Sequence, residues 1–363
     1  MSLVIDPAAD AAEGASESAV AAPFVDATPE GQAVSWRHRH LLDVDGLSAA
    51  DLDLVMRTTD AMREILARPI AKVPALRGRQ VTILFYEAST RTRVSFEVAA
   101  RNLSADVVNI AAASSSVSKG ESLVDTVRTV EALGAQMLVI RHSVSGAPYL
   151  AAEVFGGSVL NGGDGWHAHP TQALLDLYTM RERLPGRSDG APTGWLHGRK
   201  VVILGDLLHS RVARSNIWTL TAAGADLWLC GPATLVRGFE AWAGRGAAAG
   251  RRFHVTTSVE EAVRDADVVM ALRIQHERMA SGLLPSLREY AARYGLTRER
   301  LALARPGALV MHPGPMNEGV EIAADVAAGA QSVITDQVTN GVAVRMALLY
   351  LLAGTHGTGA GAA

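Results

Sequence analysis

A chain of 363 residues, 48% of them hydrophobic, can bury a large core and is long enough for two domains. Its 34 Lys and Arg against 37 Asp and Glu leave a net charge of −3, which excludes a broad basic field for nucleic acid or an anionic membrane, so any anion must be gripped locally. The single cysteine, Cys230, excludes an internal disulfide and a thiolate metal cluster and points to a reducing compartment, the cytoplasm.

Residues 1–36 are Ala-rich and carry Asp6, Asp10, Glu13, Glu17, Asp26 and Glu30 but no Lys or Arg, which excludes an ordinary export or transit signal. With few large apolar side chains to offset the entropy of ordering, this stretch is expected to be a disordered tail. From residue 37 onward, β-rich runs at 81–86, 136–140, 158–161, 201–205, 227–230, 268–272 and 309–311 alternate with helical patterns. That alternation predicts an α/β protein with parallel sheets. Phe96, Ala99, Ala100 and Leu103 repeat at helical spacing, as do Leu123, Val127, Val130 and Leu133, which run into Gly134. A helix over 171–184 gives way to a Pro- and Gly-rich break at 185–192, which places a domain boundary nearby. The last pattern, 337–352, is apolar on one face and is open to packing back on the first domain or extending the second. Its most apolar run, 348–352, is far shorter than the roughly 20 residues of a membrane span.

The chemistry concentrates after the first strand, in Glu87-Ala88-Ser89-Thr90-Arg91-Thr92-Arg93. Three hydroxyls, free backbone N–H groups and a guanidinium meet there at a helix N-terminus, where the dipole and the orphan donors favour a phosphate. Taken alone, a capping Ser or Thr beside solvated arginines explains the run about equally well. Arg141 follows the 136–140 strand, and His169 and Gln172 open the helix after the glycine-rich loop 162–165. Strand ends are where open α/β sheets bind ligands, although each residue in isolation reads as well as a salt bridge or a core hydrogen bond.

Ser89-Thr90-Arg91-Thr92-Arg93 followed by Ser95-Phe96-Glu97 resembles the carbamoyl-phosphate loop of the aspartate and ornithine carbamoyltransferases. The resemblance continues, in family order over 37–352, through Lys119-Gly120-Glu121, Arg141-His142, His169-Pro170-Thr171-Gln172, Gly205-Asp206-Leu207, Arg273-Ile274-Gln275 and His312-Pro313-Gly314-Pro315. It implies two doubly wound domains with parallel sheets and an active site in the cleft between them. A carbamoyl-phosphate domain would take 37–170 with 340–354, an acceptor domain 171–339, and 355–363 would be a flexible tail.

By resemblance, Ser89, Thr90, Arg91 and Thr92 hold the phosphate, Arg141 bridges phosphate and carbonyl oxygen, His169 contacts that oxygen, and Gln172 contacts the carbamoyl amine. Ser115 and Lys119, in a polar segment suited to a lid, reach a neighbouring subunit's site, which makes a homotrimer the implied minimum. Arg211, Arg273 and Gln275, with Lys119, bind the acceptor, while the Pro313 and Gly314 carbonyls receive its amine and the carbamoyl nitrogen. Two arginines suit an acceptor with two carboxylates, so L-aspartate is expected and ornithine or another amino acid is the alternative. The expected product is N-carbamoyl-L-aspartate, made early in pyrimidine biosynthesis.

A cysteine-bearing His-Cys-Leu-Pro, usual in the ornithine enzymes, is absent. No G-x-G-x-x-G follows the 201–205 strand and no P-loop is present, which argues against nucleotide chemistry. His38 with His40, and His167 with His169, offer too few ligands for a metal, so no metal and no cofactor is expected. A catalytically dead scaffold is disfavoured because every site motif is intact. Two features loosen the resemblance: Glu318 places a negative charge near an anion site, and Gly314 stands where a bulkier residue is common. The acidic tail exceeds the family core and is open to three readings: regulation, a tether to a dihydroorotase or regulatory chain, or no role.

Overall fold

The computed structural model describes residues 35–111, 120–184, 194–248, 253–275, 279 and 282–355. Helix α1 (Ala49–Leu66) opens on a capping box in which Ser48 and Asp51 exchange hydrogen bonds. There follow β1 (Gln80–Phe85), α2 (Thr90–Asn102), β2 (Asp106–Ala111), α3 (Leu123–Ala132), β3 (Met137–His142), α4 (Ala147–Val154), β4 (Ser158–Asp164) and α5 (Pro170–Arg183). The second half runs β5 (Lys200–Leu204), α6 (Arg211–Ala222), β6 (Asp226–Cys230), α7 (Ala233–Val236), α8 (Phe239–Ala248), β7 (Phe253–Thr256), α9 (Val259–Val263), β8 (Val268–Ala271), α10 (Leu287–Tyr294), α11 (Arg298–Leu301), β9 (Leu309–Met311), α12 (Ala324–Ala327) and α13 (Ile334–Gly354).

The described strands form two sheets, one ordered β2-β1-β3-β4 and one β7-β6-β5-β8-β9, and every pairing is parallel. Helices cover both faces, so the central strands are continuous apolar runs: Leu84 and Ile140 face one cluster, and Ile83 and Val139 the opposite one. Burying each such side chain contributes about 1.5 to 3 kcal/mol.

All seven expected strands are present within a few residues. Two edge strands, β2 and β7, went unpredicted because half-exposed, short segments lack the apolar run of a central strand. Helix α1, with buried positions at Leu52, Val55, Met56 and Thr59, was also not anticipated. Gly162 and Gly163 belong to β4 rather than to a loop, and Arg141 is the fifth residue of β3 rather than the residue after it. Helix α13 packs against α1, α2 and α5. The expected tails at 1–36 and 355–363 lie, except for residues 35, 36 and 355, outside the described residues, as does the break at 185–192. Among the described residues no helix is long and apolar enough to cross a membrane.

Strand order decides where a ligand can bind. In the first sheet the chain steps outward from β1 to β2, then back past β1 to β3; in the second it steps from β5 out to β7 and returns to β8. The loops after β1 and β3, and after β5 and β8, therefore diverge and leave a crevice at each switch point.

Candidate active site

One cleft of about 770 Å³ is lined by the loops from both switch points. Its walls include Ser89, Thr90, Arg91 and Thr92 from the first, Arg141 from β3, His169 and Gln172 from α5, and Arg211, Arg273, Gln275, Pro313 and Gly314 from the second half. All the expected site residues that are described thus line a single space. Ser115 and Lys119 lie outside the described residues.

Ser89 occupies the N-cap of α2 but makes no side-chain capping bond. Its hydroxyl is not spent on the helix, and the first-turn N–H groups face a cleft that also holds Arg91 and Thr92. Glu87 closes this loop as a counter-ion: its Oε2 lies 3.3 Å from Arg141 Nε and 2.7 Å from Arg211 Nη2. Arg141 also donates to the Gly162 carbonyl at 3.2 Å, and Arg211 to the Gly165 carbonyl at 3.2 Å. The arginines pass close to the backbone because Gly163 has φ +116° and no Cβ, which would stand 3.0 Å from Arg211 Nε and 3.3 Å from Arg141 Nη1.

His169 is buried at the N-cap of α5, and its backbone N–H donates to Ser215 Oγ on α6 at 2.9 Å. Its Nδ1 has no hydrogen-bond partner among the described residues. Burial, and then the charges of Arg141, Arg211 and Arg345, hold its pKa well below the ordinary 6.5. It is a neutral imidazole that can donate one hydrogen bond. Gln172 donates its Nε2 to Asp176 Oδ1 at 2.9 Å. A carboxylate only accepts, so this bond commits the amide nitrogen and leaves the amide oxygen for an incoming N–H.

Across the cleft, Gln275 is fixed by its backbone N–H to Asp206 Oδ2 at 3.2 Å, and the same carboxylate holds His209 Nδ1 at 2.9 Å. Pro313 and Gly314 follow β9 in a turn pinned by His312, whose Nδ1 accepts the Gly314 N–H at 2.8 Å. The Gly314–Pro315 peptide is cis. Gly314 has φ +67°, and a Cβ there would meet Arg91 Nε at 2.8 Å. A side chain at this position would push the Arg91 guanidinium aside, so the missing Cβ makes room for Arg91. Glu318 is exposed and is not part of the cleft lining, so its charge faces away from the anion site.

Three of the four histidines weighed as metal ligands, His38, His40 and His167, have other ring partners. His167 Nδ1 lies 3.1 Å from Asp164 and its Nε2 3.4 Å from Asp43, while His38 pairs with Asp51 at 3.1 Å. Among the described residues no three His, Cys, Asp or Glu side chains are grouped as metal ligands would be. Sequence reasoning missed Glu87, Asp176, Gln337 and Arg345. A signal existed for some of them: Asp176 stands four residues after Gln172 on one helix face, and Arg345 interrupts the apolar run 341–349.

Residues 39–182 match the family model described as "Aspartate/ornithine carbamoyltransferase, carbamoyl-P binding domain", and residues 197–352 match the "Asp/Orn binding domain" of the same family. The aspartate carbamoyltransferase catalytic subunit of Roseiflexus sp. strain RS-1 is 58% identical over 318 residues, covering 88% of this chain and 96% of that protein. Its counterpart in Chloroflexus aurantiacus is 57% identical, covering 87% and 98%. The fold is similar to the crystal structure of Trypanosoma cruzi aspartate transcarbamoylase in complex with carbamoyl phosphate and aspartate, at TM-score 0.76 and 30% identity over 87% of this chain and 97% of that one. The ornithine carbamoyltransferase of Pyrococcus furiosus scores 0.75 at 26% identity, covering 88% and 99%, so backbone shape does not separate the two acceptors.

Proposed function

This chain belongs to the aspartate/ornithine carbamoyltransferase family, and we propose that it works as an aspartate carbamoyltransferase, moving the carbamoyl group of carbamoyl phosphate to the α-amine of L-aspartate. The observation that carries this reading is the shared cleft, in which a helix N-terminus bearing Ser89, Thr90, Arg91 and Thr92 faces Arg211, Arg273 and Gln275. One side suits a phosphate, the other a dicarboxylate. The product, N-carbamoyl-L-aspartate, feeds pyrimidine biosynthesis.

In the proposed assignment Ser89, Thr90, Arg91 and Thr92 hold the phosphate, and Arg141 spans it and the carbonyl oxygen. His169 donates to that oxygen, and Gln172 accepts from the carbamoyl NH₂ through its amide oxygen. Arg211 and Arg273 hold the two aspartate carboxylates, assisted by Gln275, and the Pro313 and Gly314 carbonyls receive the amine and the carbamoyl nitrogen. Glu87, which pairs with Arg141 and Arg211, is the anion the substrates must compete with.

The neutral amine attacks the carbamoyl carbon, the carbonyl electrons move onto oxygen, and the tetrahedral oxyanion collapses with loss of phosphate. Arg141, His169 and Thr92 stabilise the oxyanion, and holding both substrates in line removes about 7 to 11 kcal/mol of entropic barrier. A buried neutral His169 supports its role as a hydrogen-bond donor, with the departing phosphate dianion taking the amine proton. Neither a metal nor a covalent nucleophile is needed for this sequence of bonds.

The same reading assigns 37–170 with 340–354 to carbamoyl phosphate and 171–339 to aspartate, supported by the packing of α13 on α1 and α2. It makes the working unit a cytoplasmic homotrimer in which Ser115 and Lys119 complete a neighbour's site. The test is to incubate the protein with carbamoyl phosphate and either L-aspartate or L-ornithine and to follow carbamoylated product and phosphate. Product with aspartate alone is expected; product with ornithine would overturn the roles given to Arg211 and Arg273.

A further inference from the structure

A chain of buried hydrogen bonds that the reaction as described does not use runs through the cleft lining and the layer beneath it. Asp176 Oδ1 accepts from Gln172 Nε2 at 2.9 Å and from Gln337 Nε2 at 2.8 Å, and its Oδ2 accepts from Asn216 Nδ2 at 2.9 Å. Gln337 Oε1 in turn accepts the backbone N–H of His312 at 2.9 Å, and His312 Nδ1 accepts that of Gly314 at 2.8 Å. The far ring nitrogen, Nε2, lies 3.2 Å from Glu321 Oε1. Asp176, Gln337, His312 and Glu321 are each at most 3% exposed.

The chemistry of the donors fixes the orientation of every link. A carboxylate cannot donate, so both glutamines must turn their NH₂ groups toward Asp176. Gln337 is then obliged to present its oxygen at the opposite end, where the His312 N–H needs an acceptor. Gln172 is likewise obliged to keep its oxygen for the cleft. One buried carboxylate thus sets the direction of an amide on α5 and, through α13, the position of the turn after β9. Burial pushes the Asp176 carboxyl up to about 6 in spite of its three amide donors, so this group is a costly way to fill space and a poor source of stability.

We propose that Asp176 and Gln337 are positioning residues that hold Gln172 and the 312–314 turn as one unit, so that the acceptor for the carbamoyl nitrogen and the carbonyls facing the attacking amine keep a fixed separation. The inference rests on the carbamoyl-transfer reading for the roles of Gln172, Pro313 and Gly314. It goes beyond that reading in coupling the two half-sites through groups to which that reading gives no substrate contact.

The test compares the wild-type chain with Gln337→Met, Gln172→Met and the double variant, and solves the Gln337→Met structure. Gln337→Met keeps the length of the side chain and removes both bonds. The expected result is about a hundredfold loss in kcat, the order seen when a reacting group is misplaced by an ångström. Binding of inorganic phosphate, held at α2, should change little, and a merely destabilising substitution would not produce that split. The double variant should be scarcely worse than the worse single one, because both substitutions break the same unit. Additive losses, or a 312–315 turn unmoved in the variant structure, would overturn the proposal. A wild-type chain that fails to carbamoylate aspartate would instead overturn the functional reading, and the position of the turn would still decide the relay.

Discussion

Glu87 Oε2 stands 2.7 Å from Arg211 Nη2, joining the loop after the first strand of one sheet to the first residue of a helix in the other half of the chain. The same oxygen lies 3.3 Å from Arg141 Nε, so one carboxylate serves two arginines assigned to different substrates. Glu87→Gln is expected to lower the stability of the empty protein by about 1 to 3 kcal/mol, because the cations lose their charged acceptor in a largely buried place. Inorganic phosphate should restore part of that loss by supplying the missing anion. Thermal melts with and without phosphate measure both effects, and a variant whose melting point equals that of the wild type would show that the pair contributes nothing.

Arg211→Ala and Arg273→Ala are each expected to cost about 2 to 5 kcal/mol in kcat/KM for aspartate, the range for removing one partner of a buried charge pair. Carbamoyl phosphate binding should survive. Equal losses for both substrates in steady-state kinetics would show that the second half-site is misassigned.

Gly314→Ala adds a Cβ 2.8 Å from Arg91 Nε at φ +67°. Backbone strain at such a φ is about 1 to 2 kcal/mol for a non-glycine residue, and the Arg91 guanidinium must swing aside. The expected outcome is a small loss of stability with a larger rise in the dissociation constant for phosphate, read by calorimetry. Unchanged phosphate affinity would mean that Arg91 does not hold that group.

His169 is held neutral by burial and by the neighbouring arginines, so a His169→Gln enzyme, although slow, should keep the acidic limb of its pH–rate profile. Loss of that limb would make His169 the general base. The stability consequence has a definite sign. Below 6.5 the unfolded chain gains a proton at this histidine that the folded chain refuses, so stability falls as pH drops, and His169→Gln should lose less between about pH 7.5 and pH 6 in urea titrations. Asp43 and Asp176, both raised from 3.8 to about 6, act in the opposite direction within that lower window.

The proposed trimer, with Lys119 completing a neighbour's site, predicts complementation. Lys119→Gln and Arg141→Ala chains should each be nearly inactive alone, yet regain a fraction of activity when mixed and reassociated, because some mixed trimers contain one site with both residues intact. No recovery on mixing would argue for sites built from a single chain.

The phosphate loop and the order of the later motifs were legible because their information is local. A strand, a helix N-terminus and a run of hydroxyls and arginines occupy a few consecutive residues, and that local arrangement favours an anion. Central strands were equally plain, since burial on both faces imposes continuous apolar runs such as 137–140. Edge strands were not, because β2 and β7 trade burial for exposure.

Sequence by itself determined the parallel α/β architecture and picked out the residues, Ser89 to Thr92 with Arg141, Arg211 and Arg273 among them, that the structure brings to one cleft. Only the tertiary structure decided that Glu87 is the common counter-ion of Arg141 and Arg211, that Gly314 makes room for Arg91, and that Asp176 and Gln337 tie α5 to the turn after β9. Several of those relationships join positions more than a hundred residues apart, such as Glu87 with Arg211 and Asp176 with Gln337. A single sequence records which groups are present; which of them share a buried acceptor depends on strand order and helix packing, which bring distant segments within hydrogen-bonding distance.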